Sequence, residues 1–461
     1  MDSGKSGSGG FSGLAGWLVR PAGWQAWAVL GVVLGAAALR IAYRVPDGGM
    51  DNAIVVRAAD AWLDGRSPYA DRHFLYLPGA VLAAVPQAMF PQVGRVLVPV
   101  GVVGALACGW ACALRIHGVA LRNRFAVLGL LGLVLGFAPF VHLVELGNWT
   151  VASAVALPVA LLCVCRGRWV VAGAVIGAAV AVKPLLVPVL LLFVFARKWR
   201  ALGVAVLVPV VVSVLAALVL PDPGAFFTRT LPFLLRGEDR FVRLYEASPA
   251  AVLPRVGVPA VAASLVSVVG AVVGVWCAWR RWRAPGPWVV GVGPEVRLGA
   301  GGSEVGRVVE EGRMVEAGRV VETAAALMLA AFLVSRPSYD HYLLVVLPLL
   351  LAGALRASSV VRGPWFWVAL VPQVPGFVWV GVEVLPRRAF KDAFTLCVLA
   401  GVVFWWCAAV GRRGGPVGPA SVPAPSAGAS VAGGVVPAGG SPVPPLPVTR
   451  GLPPPGPPLS A

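Results

Sequence analysis

The stretch MDNAIVVRAADAWLDGRSPYADRHFLYLPG (50–79) crowds carboxylates into a chain that otherwise has few. With Asp47 just upstream, Asp51, Asp60, Asp64 and Asp71 make five of the 20 acids in 461 residues. At helical spacing Asp51 shares a face with Ile54, Val55, Ala58, Ala61 and Trp62. Asp60 and Asp64 fall on the opposite face, where Arg57 is placed to pair with Asp60. Asp51 therefore travels with the apolar stripe. A carboxylate there is partly desolvated and can act as a base toward a substrate arriving from a lipid phase. The alternative is that Asp51 caps the helix it begins.

Other chemically capable residues sit in short turns. VELGNWT (144–150) places Glu145 and Asn148 between apolar segments with no Lys or Arg nearby, and Asn148 either caps the next helix or faces a site. AVKPLLVP (181–188) puts Lys183 at the apex of a hairpin, where it either snorkels to water or meets a phosphate as a point charge. SRPSYDHYLLVVLP (335–348) sets His341 beside Asp340, whereas His117 lies in a basic loop. The arginines of 221–249 are balanced by acids and read as a solvated surface. A base to take a hydroxyl proton, with cations to stabilise a departing phosphate, is what moving a sugar from a phosphate to a hydroxyl requires.

The elements that must position these residues are membrane spans. Hydrophobic residues make up 58% of the chain and charged residues 13%, half the share of an ordinary soluble domain. Apolar runs long enough to cross a bilayer recur from 24 to 411, giving an all-α polytopic transmembrane bundle of about twelve spans. The net charge of +18 does not point to nucleic acid, because the basic residues cluster in short turns at 115–124, 166–168, 197–200 and 280–283. That is the pattern of cytoplasmic loops, and it puts most acids on the outer face. YLPGAVLAAVPQAMF (76–90) is short and Pro-containing and reads as interfacial, which keeps every basic cluster inside.

Residues 1–23 form a Gly/Ser-rich cytoplasmic arm, and 24–411 the transmembrane domain. Within it, 285–319 is a charged, Gly-rich loop resembling an insertion. Residues 412–461 are a Pro-rich tail, read as disordered; PVPPLP and LPPPGPP would be its docking motifs for a cytoplasmic SH3-like partner. The seven cysteines lie in apolar segments without metal-site spacing, and the external loops hold no tight Asp-x-Asp pair, so no metal is expected.

Several of these segments resemble the GT-C glycosyltransferases of family 87. The likeness lies in Asp51 leading into a helix, Gly65 to Tyr69, and YLP at 76–78. It continues in the 166–201 segment, with its Lys183-Pro184 between basic turns, and in the late histidine turn. The chain departs from the family pattern at Gly147-Asn148, where Gly-Gln is common, and at 246–255, which keeps Ser248 and Arg255 without an Asn. The resemblance implies a GT-C bundle with interfacial helices in the first external loop. It implies an inverting transferase of the plasma membrane, acting on its outer face, with a polyprenyl-phosphate sugar as donor and no further cofactor. By that analogy the sugar is mannose, or arabinofuranose as in some members, and the acceptor a glycolipid or glycan. Asp51 becomes the general base, and Lys183, His341, Asn148, Tyr76 and Arg255 become donor or substrate contacts. The competing readings are a transporter or flippase of a lipid-linked substrate, and a non-catalytic assembly partner. Against transport, the spans show few interior charges and no inverted repeat.

Overall fold

The computed structural model describes residues 9–45, 48–236, 244–284, 303–376 and 385–413. These fold as helices joined by short turns, with one isolated β-bridge between Pro21 and Asn123. The Pro-rich tail from 414 onward, the 285–302 part of the charged loop, Asp47 and residues 237–243 lie outside the described residues.

Among the described residues six helices are long and apolar enough to cross a bilayer, and a seventh span arises if the bent pair Arg124–Gly136 and Ala138–Leu146 is counted as one. Three further apolar helices, Thr150–Cys165, Trp169–Val182 and Pro184–Phe195, are shorter. Residues 342–356 break into a 3-10 turn, Asp340–Val345, and a five-residue helix, Leu347–Leu351. Pro348, the second residue of the five-residue helix, explains the break between them, since it lacks an N–H and clashes with the preceding turn.

The order of the N-terminal half positions everything that follows. Helix α1 (Gly9–Leu18) lies in what the sequence presents as an arm; α2 (Trp24–Arg44) is the first span. Helices α3 (Met50–Leu63) and α4 (Pro78–Met89) form the acidic loop, and α5 (Pro91–Ile116) returns through the bilayer. The twelve residues of α4 extend about 18 Å, too short to cross. The 26 residues of α5 extend about 39 Å, so its two ends lie on opposite faces. Then come α6 (Arg124–Gly136), α7 (Ala138–Leu146), α8 (Thr150–Cys165) and α9 (Trp169–Val182). After the 3-10 turn Pro184–Val189 follow α10 (Leu190–Phe195) and α11 (Trp199–Ala217).

The basic turns gather at one end of the bundle. Trp282 Nε1 donates to the Phe195 carbonyl at 3.0 Å, Lys198 lies over the Trp169 ring, and the neutral His117 bonds Leu349 O and Arg356. Asp51, Asn148 and Lys183 sit at the other end. There α3, α4 and the intervening loop close a small core of their own around Val55, Ala59, Phe74, Tyr76 and Val81, with Ala216 of α11 and Leu220 just beyond it. Trp62 ties this cap down by donating to Val219 O at 2.9 Å.

The helix Ser303–Val334 starts inside the stretch taken from sequence as a Gly-rich loop. Its charges recur at helical spacing, as in Glu316 and Arg319, and support a helix despite three glycines. The span it becomes, Val315–Val334, is 89% buried and forms the bundle's centre; the peripheral spans are as little as 22% buried. Among the described residues two buried acids sit inside spans. Glu322 accepts from Arg281 Nε at 2.6 Å and from Trp406 Nε1 at 3.0 Å, joining three helices. Asp392 accepts from Gln373 at 2.9 Å. Each is locked to a neighbour, and neither forms a chain of acids across the membrane.

Candidate active site

Two glycine turns bring the site together. Gly48 and Gly49, between α2 and α3, have φ of 71° and 106°, and Gly147, between α7 and α8, has φ of 58°. A Cβ on Gly147 would fall 2.0 Å from Gly48 O, and one on Gly49 2.2 Å from the Leu146 carbonyl. Only bare backbone permits this approach, and it carries Asp51 against Asn148. Gly147→Ala is expected to cost at least about 2 kcal/mol and to abolish activity before it abolishes insertion. Gly118→Ala, at φ 70° with open space around it, is the matched control. It costs about 1–2 kcal/mol from left-handed strain alone. Thermal unfolding of the two variants separates the contact from the strain.

Asp51 is the second residue of α3, and the cap is Gly49, so the N-cap alternative does not hold. The buried face of α3 is Asn52, Val55, Ala58 and Ala59, one residue round from the predicted stripe, which leaves Asp51 half-buried at its edge. Its Oδ2 accepts from Asn148 Nδ2. Among the described residues its Oδ1 has no hydrogen-bond partner. Arg57 does not pair with Asp60; its guanidinium lies 3.9 Å from Asp71 instead.

Asn148 performs both roles left open by the sequence. Its Oδ1 accepts the Thr150 N–H at 2.8 Å, satisfying an orphan donor at the start of α8, and also accepts from Lys183 Nζ at 2.8 Å. The amide thus stands between the anion and the cation, its nitrogen toward Asp51 and its oxygen toward Lys183. A direct Asp–Lys pair would neutralise both groups; the amide orients them without joining them.

Lys183 follows α9 directly and is aimed inward. Nζ donates to Thr150 Oγ1 at 2.8 Å and lies 5.6 Å from the Tyr76 ring centroid and 5.0 Å from that of Tyr342. Snorkelling to water is therefore not its arrangement. Burial pushes its ammonium down to about 8, with the Asp51 carboxylate opposing the shift. Tyr76 reaches it because Gly79, in the first turn of α4, approaches the Ala181 carbonyl so closely that a Cβ would lie 2.7 Å away. Burial, reinforced by Asp51, raises the Tyr76 phenol well above its ordinary value and keeps it a neutral donor.

Asp51, Tyr76, Asn148 and Lys183 line one cavity of about 760 Å³. Leu75, Pro184, Leu185, Phe332 and Val334 supply its apolar wall, and Arg57, His73 and Arg336 are also at its surface. His341 and Arg255 do not line it. The His341 ring is only 2% exposed, packed between Tyr339 and Tyr342, and burial depresses its protonation. Arg255 sits half-buried on the 3-10 turn Leu253–Val256, under the influence of Glu246. Sequence reasoning missed Thr150, Tyr339 and Tyr342. The first was signalled by its place two residues after Asn148, and the tyrosines by flanking the histidine that drew attention away from them. Among the described residues no group of three or more His, Cys, Asp or Glu is placed to hold a metal ion.

Comparison with known proteins finds likenesses over part of the chain. Residues 74–292 match the model of Glycosyltransferase family 87. Over 189 residues the chain is 34% identical to an alpha-(1->3)-arabinofuranosyltransferase of Mycobacterium tuberculosis (strain ATCC 25618 / H37Rv), covering 38% of this chain and 41% of that protein. Proteins of the same name from Corynebacterium glutamicum and Mycolicibacterium smegmatis are also similar. The first is 27% identical over 175 residues, covering 37% and 41% of the two chains. The second is 40% identical over 76 residues, covering 16% and 18%. The chain spans about two-fifths of the length of the first two of these relatives. No solved structure matches. An all-helical membrane bundle whose residues 74–292 match that model is thus similar, over this segment, to glycosyltransferase family 87.

Proposed function

We propose that this protein is an inverting membrane glycosyltransferase that moves a sugar from a polyprenyl-phosphate carrier to a hydroxyl of an extracytoplasmic glycolipid or glycan. The observation that carries the reading is the Asp51–Asn148–Lys183 bridge in the cavity wall. Asp51 takes the proton of the acceptor hydroxyl as its oxygen bonds to the anomeric carbon. The bond from that carbon to the phosphate oxygen breaks, its electron pair stays with the polyprenyl phosphate, and Lys183 neutralises the growing charge. One displacement with one base inverts the anomeric centre. The apolar wall beside Lys183 suits the first units of a lipid chain.

The relatives' names favour an arabinofuranosyl over the mannosyl donor expected from sequence. Purified protein incubated with a cell-envelope lipid extract and either polyprenyl-phosphate arabinofuranose or polyprenyl-phosphate mannose is expected to form a new glycosylated species with the first. Transfer from neither donor would overturn the proposal.

The plasma-membrane, outward-facing placement is supported by the basic turns at the opposite end of the bundle. Single cysteines at the exposed Ala70 and Ala120, in a background lacking the seven native cysteines, test it. In intact cells a membrane-impermeant thiol reagent is expected to label the first and spare the second. Labelling of position 120 alone would invert the topology.

A further inference from the structure

Behind the cavity lies a second buried polar cluster that the proposed reaction leaves unused. Asp340 opens the 3-10 turn Asp340–Val345, is 6% exposed and does not line the cavity. Its Oδ1 accepts the His341 backbone N–H at 2.7 Å and lies 3.4 Å from His341 Nδ1. Its Oδ2 accepts from His142 Nδ1 on α7 and lies 3.5 Å from Arg388 Nη2 on the helix Leu385–Arg413. The same Arg388 nitrogen is 2.7 Å from His142 Nδ1 and 3.0 Å from its Nε2. Burial disfavours charge on Asp340, but the hydrogen bonds from His142 and His341 outweigh it and hold the carboxyl well below the usual range.

On the cavity side, His341 stacks on Tyr339 at 5.3 Å and meets Tyr342 edge-on at 5.2 Å. The two tyrosines pack at 5.5 Å, both line the cavity, and Tyr342 carries the Lys183 ammonium over its ring. From these contacts we infer that Asp340 is a positioning residue. With His142 and Arg388 it fixes the turn that holds the Tyr339–Tyr342 wall beside Lys183, and so shapes the phosphate end of the cavity. A buried ionic cluster is a weak source of stability compared with apolar packing. What it supplies is direction: donors from three separate segments converge on one carboxylate and leave the turn a single orientation. The inference rests on the reading of Lys183 as a donor-phosphate contact.

The test uses the full-length protein and three variants. Asp340→Asn keeps an acceptor for the His341 N–H but removes the charge facing Arg388. His142→Leu removes the donor to Oδ2, and His142→Asn restores an N–H near the place of Nδ1. Asp340→Asn and His142→Leu are expected to raise the donor KM about tenfold with kcat changed by less than about threefold. His142→Asn should recover most of the loss. Amide hydrogen exchange, which needs no sugar donor, should speed up in the first two variants within 338–343 and not elsewhere. An unchanged donor KM with unchanged exchange at 338–343 overturns the inference, and so does faster exchange spread evenly over the bundle. Faster exchange confined to 338–343, in a protein with no transfer activity even as wild type, upholds the clamp and sinks the transferase reading instead.

Discussion

Asp51→Asn is expected to lower turnover by about 10²–10⁴-fold, the usual worth of a positioned general base. The substitution preserves size and still offers Asn148 Nδ2 an acceptor, so the Gly48–Gly147 contact and the cavity should survive. Donor KM and thermal stability should stay within about twofold and about 0.5 kcal/mol of wild type. Asp60→Asn and Asp64→Asn are the comparisons, because neither side chain lines the cavity and Asp64 pairs with the exposed Arg66. Single-turnover measurement of transfer from a radiolabelled donor distinguishes the three. Near-wild-type turnover in Asp51→Asn would remove the base from the mechanism, since capping is no longer an alternative account of this residue.

Lys183→Met should act on the donor. Methionine keeps an apolar stem between the Tyr76 and Tyr342 rings and loses the charge, while Asn148 remains held by the Thr150 N–H. A charge-assisted contact of about 1.5–3 kcal/mol corresponds to a donor KM raised roughly 10–100-fold, with acceptor KM little changed. The wild-type protein should also show a pH signature. The ammonium is the form that meets phosphate, and burial has lowered its pKa to about 8. Donor kcat/KM should therefore be flat below that pH and fall as pH rises through it. In the donor-bound complex the phosphate charge favours the ammonium, which moves the corresponding limb of kcat to higher pH. The Met variant should lose the limb in kcat/KM. A limb that persists in Lys183→Met would assign the titration to another group.

Much of this site was visible in the sequence because chemistry and punctuation coincide there. Asp51, Asn148 and Lys183 are isolated polar residues at the ends of apolar runs, and nothing apolar competes for their interpretation. Their mutual contact was not visible, since residues 51, 148 and 183 come together through glycine-to-backbone approaches that no periodicity encodes. The setting of His341 was hidden for the converse reason. A histidine beside an acid in an outward turn has the look of a site residue, yet its ring is spent on packing between tyrosines. The span count turns on length. A hydropathy pattern cannot tell a full crossing from helices of 14 or 16 residues such as α9 and α8, nor from the pieces Asp340–Val345 and Leu347–Leu351. The Ser303–Val334 helix was obscured by its glycines, although its paired charges argued for it.

The central helix has a consequence for how the protein is made. Val315–Val334 is the least hydropathic of the six long spans, at 1.7, and the most enclosed by protein. Its Glu322 is partnered from both directions in the chain, by Arg281 synthesised earlier and Trp406 synthesised near the end. A nascent chain halted before the helix Leu385–Arg413 would leave that carboxylate without its Trp406 donor, a hydrogen bond to a charged group worth about 1.5–3 kcal/mol. Docking of that helix therefore completes the Glu322 contacts and, in the same step, brings Arg388 to Asp340 behind the cavity.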